Sequence, residues 1–156
     1  MTNPIADEDR IWRLEKLASL PGIRGVVLAG VDGLRLENSK ELSQEQAELL
    51  AAATTALHAA SMSSAEVMGT TRDGWGGLVV RWDTGWVMVE PAGQDSLLGV
   101  LTTSDADLEL VAMETDRFVG DIAGAQVLDA TPRPLPRRIP KGADADRLTQ
   151  PGGSSV

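Results

Sequence analysis

A chain of 156 residues with 42% hydrophobic side chains can bury one core and carry some tail besides. It has no cysteine, which excludes disulfides, thiolate metal sites and a cysteine nucleophile, and which suits a reducing compartment. Its net charge of −9 is uneven: residues 1–128 hold nine Lys/Arg against twenty Asp/Glu, and residues 129–156 hold five against three. An acidic body of that kind repels nucleic-acid phosphates, so no nucleic-acid partner is expected.

Met1 to Arg10 is polar and acidic and lacks the charged-then-apolar pattern of a signal peptide. No apolar run nears the roughly 20 residues of a membrane helix. A cytoplasmic protein without membrane insertion is expected. Residues 1–7 read as an N-terminal arm, residues 8–128 as one domain and residues 129–156 as a tail.

Residues 7–20 predict a helix, with Ile11, Leu14, Leu17 and Ala18 on one face and Asp7 or Asp9 at its start. Pro21-Gly22 stops it. Residues 24–30 predict a buried strand, and Asp32-Gly33 marks a tight turn into a second strand over residues 34–37. Ser43 and Gln46 form a capping box that opens a long helix reaching about residue 64. Leu49, Leu50, Ala53, Ala56, Leu57 and Ala60 give this helix a broad apolar stripe. Packing on the chain's own sheet and packing on a second copy both fit so wide a stripe.

Residues 66–103 predict a meander: Leu78–Trp82, a turn at Asp83-Thr84-Gly85, Trp86–Val89, a turn over Pro91–Asp95 and Leu97–Thr103. Trp82 and Trp86 flank the first turn and could pair across the hairpin. Asp73–Gly77 reads as a glycine-rich loop that offers Trp75 as an anchor for a partner. Ser104 or Asp105 caps a last helix lined by Leu108, Val111, Thr115, Phe118 and Ile122, with Gly124 as its stop. Beyond residue 129 the pattern dissolves into Thr131–Lys141, which is rich in proline and arginine and expected to be extended, with the whole tail largely disordered in isolation.

The search for chemistry is negative. The single histidine, His58, has no histidine or cysteine companion for a metal site. There is no Gly-x-x-x-x-Gly-Lys-Ser/Thr loop, no dinucleotide fingerprint and no nucleophile elbow. The clusters Asp7-Glu8-Asp9 and Asp105-Ala106-Asp107 sit at predicted helix starts, where dipole compensation explains them. Arg72 and Arg81 have no spacing that sets them apart as arginine fingers. No catalytic residue, no cofactor and no metal is expected, and the chain reads as a protein-binding module.

The order helix-strand-strand-helix-strand-strand-strand-helix resembles the Roadblock family, related to dynein light chains. The residues that carry this are Leu17–Leu28 around Pro21-Gly22-Ile23, the Asp32-Gly33-Leu34 turn, the alanine-rich run Ala47–His58 and Ser96–Thr103. The resemblance spans roughly residues 8–124. It implies an α/β, profilin-like fold: a three-layer α-β-α sandwich on one five-stranded antiparallel sheet. It implies homodimerisation through adjacent long helices and paired middle strands, which assigns Leu49, Ala53, Ala56, Leu57, Leu78, Val80 and Trp82 to the dimer interface. Covering the apolar strand Leu78–Trp82 has a physical motive of its own, since a bare apolar edge invites aggregation. The resemblance also implies a small Ras-like GTPase as partner, activated or biased between states, with a sensor kinase as a further associate. Trp75, Arg72, Arg137 and Arg138 are the candidate contacts for such partners. A scaffold without effect on hydrolysis is the second reading and a small-molecule sensor the third.

Overall fold

A computed structural model describes residues 4–129. Helix α1 (Pro4–Ala18) leads into β1 (Ile23–Gly30) and β2 (Arg35–Asn38). Helix α2 (Gln44–Met62) follows, then a single 3-10 turn at Arg72–Gly74. Strands β3 (Leu78–Trp82), β4 (Gly85–Pro91) and β5 (Ser96–Thr103) precede helix α3 (Leu108–Asp129). The five strands form one antiparallel sheet in the order β2-β1-β5-β4-β3, so among the described residues β3 is a free edge.

Alternation along each strand divides the core in two. One face of the sheet, with Val26, Leu28, Met88, Leu98 and Val100, packs against Leu14 and Leu17 of α1 and Val111, Phe118 and Ile122 of α3. The opposite face, with Val27 and Ala29, packs against Leu42 and against Ala47, Leu50 and Ala51 of α2. Small residues bring α2 close: a Cβ on Gly99 of β5 would strike the Thr54 hydroxyl. The predicted α-β-α layering, the five-stranded antiparallel sheet and the element order are all observed.

Local chemistry explains the boundaries. At the start of α2 the Ser43 hydroxyl accepts from the Gln46 N–H at 3.1 Å, and the Gln46 side chain accepts from the Ser43 N–H at 3.0 Å. In the first hairpin Asp32 accepts from the Leu34 N–H at 3.1 Å, and Gly33 takes φ +88°. Arg10 ties α1 to β2 through Glu37 at 3.3 Å, and Arg13 ties α1 to α3 through Asp121 at 2.7 Å.

Several expectations are corrected. Helix α1 begins at Pro4, so Asp7 and Asp9 lie inside it and pair with Arg10 and Arg13. Ile11 stays 41% exposed, off the buried stripe. Of the span 66–103, the part before Leu78 holds turns and the 3-10 element, and Asp73–Gly77 is irregular as expected. Asp107, and neither Ser104 nor Asp105, caps α3 by accepting from the Leu110 N–H at 3.1 Å. Gly124 does not stop α3, which continues to Asp129. Trp82 and Trp86 do not pair: Trp82 lies opposite Gly85 and Trp86 opposite Arg81, so the two indoles leave opposite faces of the sheet.

Candidate self-association and partner surface

The long helix has two apolar sides. Ala47, Leu50, Ala51 and Thr54 are buried against the sheet. Leu49, Ala53, Ala56 and Ala60 recur at helical spacing on the outer side and are exposed, Leu49 by 65%. Between Leu49 and Ala65 there is no Asp, Glu, Lys or Arg. An outer helix face without charge is unusual on a surface that meets only water. Of the residues assigned to the dimer interface, Leu49, Ala53 and Ala56 share this outer strip, whereas Leu57 is half-buried beside it.

Strand β3 supplies the second part. Its alternation places Leu78, Val80 and Trp82 on the same face of the sheet as α2, because they oppose Val89, Val87 and Gly85 of β4. Leu78 and Val80 are half-buried and Trp82 is 61% exposed. On the other face Val79 is 50% exposed, and the Arg81 guanidinium stands 5.7 Å from the centre of the Trp86 ring. The five-residue strand carries one charged residue, Arg81, and the backbone groups of Val79 and Arg81 face its outer edge. The outer strip of α2 and the β3 row thus border one side of the molecule.

The remaining candidates scatter. Trp75 is half-buried and meets His58 of α2 edge-on, at 4.6 Å between ring centres. Arg72 is exposed on the 3-10 turn. Both border a cleft of about 310 Å³ at the end of α2, shared with Met62, Ala65, Met68 and Gly77. Arg137 and Arg138 lie outside the described residues.

Two features escaped sequence reasoning. Val67 and Met68, after α2, are 89% and 74% exposed and add apolar surface to that end. A groove of about 380 Å³ runs between α1 and α3, floored by Leu17 and Phe118 and edged by Trp12 and Lys16. The Lys16 ammonium stands 5.3 Å from the Trp12 ring centre, which is the one local signal, at i and i+4, that this flank is not plain solvent surface.

Ionisable chemistry is sparse. Glu90, half-buried on the α1/α3 face of β4, has its pKa pushed up to about 7, first by desolvation and then by the nearby Asp116. Among the described residues no three His, Asp or Glu side chains come together to hold a metal ion.

A sheet of five antiparallel strands between one helix and a helix pair defines an α-β-α sandwich. The match to the Roadblock/LC7 domain covers residues 13–102, and the chain belongs to that family. The solved Roadblock/LC7 domain from Streptomyces avermitilis is similar at 24% identity and TM-score 0.67, over 74% of this chain and 96% of that one. An MglB solved in a tetrameric arrangement is similar at 21% identity and TM-score 0.70, over 80% and 92% of the two chains. The gliding protein MglB from Thermus thermophilus is similar at 20% identity and TM-score 0.70, over 80% and 93%. At these identities the likeness is one of fold. Among curated protein sequences none matches. No described helix is long and apolar enough to cross a membrane.

Proposed function

We propose that this chain is a non-catalytic, homodimeric regulator of a small Ras-like GTPase, working in the cytoplasm. The observation that carries the reading is the charge-free outer strip Leu49, Ala53 and Ala56 lying on the same side as the open β3 edge. An apolar helix face and an unpaired strand at one side are satisfied together by a second copy. Leu57, Leu78, Val80 and Trp82 extend the same interface. The dimer then acts on the GTPase by binding one nucleotide state better than the other, since only differential affinity shifts an equilibrium. The family resemblance supports the GTPase as partner and a sensor kinase as a further associate. Trp75 and Arg72, at the end of α2, are the contacts assigned to such partners, with Arg137 and Arg138 from the tail.

The test is single-turnover GTP hydrolysis by a candidate GTPase with and without the full-length protein, together with pull-down in both nucleotide states. State-selective binding supports the reading, and absence of a complex in either state overturns it. A scaffold without effect on hydrolysis is favoured by one feature, the proline- and arginine-rich run Thr131–Lys141. Binding with unchanged hydrolysis, abolished by deleting residues 130–156, selects that reading.

A further inference from the structure

We propose that the groove between α1 and α3 is the seat of the chain's own tail, with residues 132–136 lying along it in cis. This goes beyond the homodimer and GTPase readings above and depends on neither.

The tail starts at the right end of the groove. A Cβ on Gly22, just after α1, would strike Ala106, just before α3, and Arg13 pairs with Asp121 further along. Helices α1 and α3 therefore run antiparallel, and α3 ends beside the start of α1. Residue 130, the first beyond the described residues, follows directly from that end. From the end of α3 back to Asp121 is about 12 Å along the helix axis. A chain extended at about 3.1 Å per residue covers that in about four residues. With a reversal over residues 130–131, residues 132–136 run from the mouth of the groove to the level of Trp12, Lys16 and Arg117.

The chemistry of the segment suits the groove. Leu17 and Phe118 form a buried apolar floor, and Trp12 forms a wall that is 57% exposed. Such a site offers few acceptors, and a backbone N–H buried without one is costly. Pro132, Pro134 and Pro136 have no N–H to satisfy. Proline also holds the segment extended beforehand, so docking on an aromatic wall costs little chain entropy. Residues three apart share an edge in polyproline II, which aligns Pro132 with Leu135 and sets one branched apolar side chain over the floor.

Charge sets the entry and the end point. Residues 131–141 carry four cations, Arg133, Arg137, Arg138 and Lys141, and no carboxylate. Near the start of α1, five carboxylates, Asp7, Glu8, Asp9, Glu37 and Asp121, stand against Arg10 and Arg13. Arg133 thus enters over an acidic mouth. At the far end Lys16 and Arg117 line the rim, and Glu114 offsets only one of them. They repel Arg137 and Arg138, so the docked stretch stops at Pro136 and leaves both arginines outside the groove.

The tether favours cis over trans. A segment joined by two residues to the edge of its site has an effective concentration on the order of mM, so a contact too weak to hold a free peptide is still occupied. The seated tail keeps other proline-rich segments off the groove. It also holds Arg137 and Arg138 on the α1/α3 flank, across the sheet from α2.

The native chain has no cysteine, so full-length Pro136→Cys takes a single nitroxide label. In isotope-labelled protein, the amide signals of residues 12–20 and 114–121 are expected to lose most of their intensity, while those of α2 and β3 stay sharp. Adding Leu135→Glu is expected to restore the lost signals. Arg133→Cys, labelled in the same way, repeats the test with every proline in place, and its broadening is expected nearer the start of α1. Nitroxide-labelled chains without isotope, mixed with isotope-labelled chains without nitroxide, report tails that reach another copy, and sharp signals are expected there. Broadening spread over all faces or centred on another face overturns the proposal. So does a pattern that survives Leu135→Glu, or broadening in the mixture as strong as within one chain. None of these outcomes touches dimer mass or GTP hydrolysis, so failure here leaves those readings standing.

Discussion

Trp75 meets His58 edge-on, with ring centres 4.6 Å apart and ring planes at 81°. The contact joins the segment after α2 to the helix itself and fixes how the chain returns to the β3 edge. An aromatic pair of this geometry is worth about 0.5–1.5 kcal/mol beyond the area it buries. Trp75→Ala is therefore expected to lower global stability by about 1 kcal/mol and to raise amide exchange over residues 63–77 first. Hydrogen exchange read residue by residue checks this. Unchanged exchange in that segment would mean the pair is incidental.

The Ser39 hydroxyl, fully buried, accepts from the Val26 N–H at 3.0 Å, where β2 runs out beside β1. Ser39→Ala leaves that N–H without its partner in the core between two strands. A loss of about 1–3 kcal/mol is expected in urea unfolding, with no change in the slope. Ser39→Thr, which keeps the oxygen, isolates the hydrogen bond from the packing.

Glu90 gives the protein a pH signature. Its folded pKa stands at about 7 against an ordinary 4.5, so the folded state holds its proton more tightly than the unfolded chain. Stability is then greatest below the unfolded value and declines as pH rises from about 4.5 through about 7, levelling off above. The unscreened shift corresponds to about 3 kcal/mol, and solvent access to this half-buried site reduces it to roughly 1 kcal/mol. Glu90→Gln should flatten the decline and raise the melting temperature at pH 8 relative to the native chain. Thermal melts at pH 5 and pH 8 decide, and a native-like slope in the variant would point to another group.

Much of this architecture was legible because its signals are local. The Ser43–Gln46 box, the Asp32-Gly33 turn and the face Val111, Thr115, Phe118 and Ile122 each depend on spacings within a few residues. The misreadings arose where a single residue decides. Taking Gly85 into the turn set Trp86 against Trp82, but Gly85 belongs to β4, and one step along a strand moves a side chain to the other face. One glycine costs a helix about 1 kcal/mol, too little for Gly124 to end α3. The α3 cap fell at Asp107 because residues 103–106 are taken up in a turn, with the Ala106 N–H donating to the Thr103 carbonyl at 3.4 Å.

The proposed interface was legible only in part. The alanine-rich stripe was plain, yet periodicity alone could not say which alanines face the sheet. Packing against Val27 and Ala29 selects Ala47 and Ala51 for the inside and leaves Ala53 and Ala56 outside. The groove beneath Trp12 and the exposed Val67-Met68 pair depend on how separate elements meet, and no short-range pattern encodes that.

The central claim is that the outer strip of α2 and the β3 edge are covered by a second copy. Light scattering on the full-length native chain and on Leu49→Glu, over a range of concentrations, tests it most directly. A carboxylate placed in an apolar contact loses its water without gaining a partner. The account predicts about twice the 16.5 kDa chain mass for the native protein and a single-chain mass for a folded Leu49→Glu. A native protein that keeps the mass of one chain at every concentration, or a Leu49→Glu dimer as tight as the native one, would contradict it.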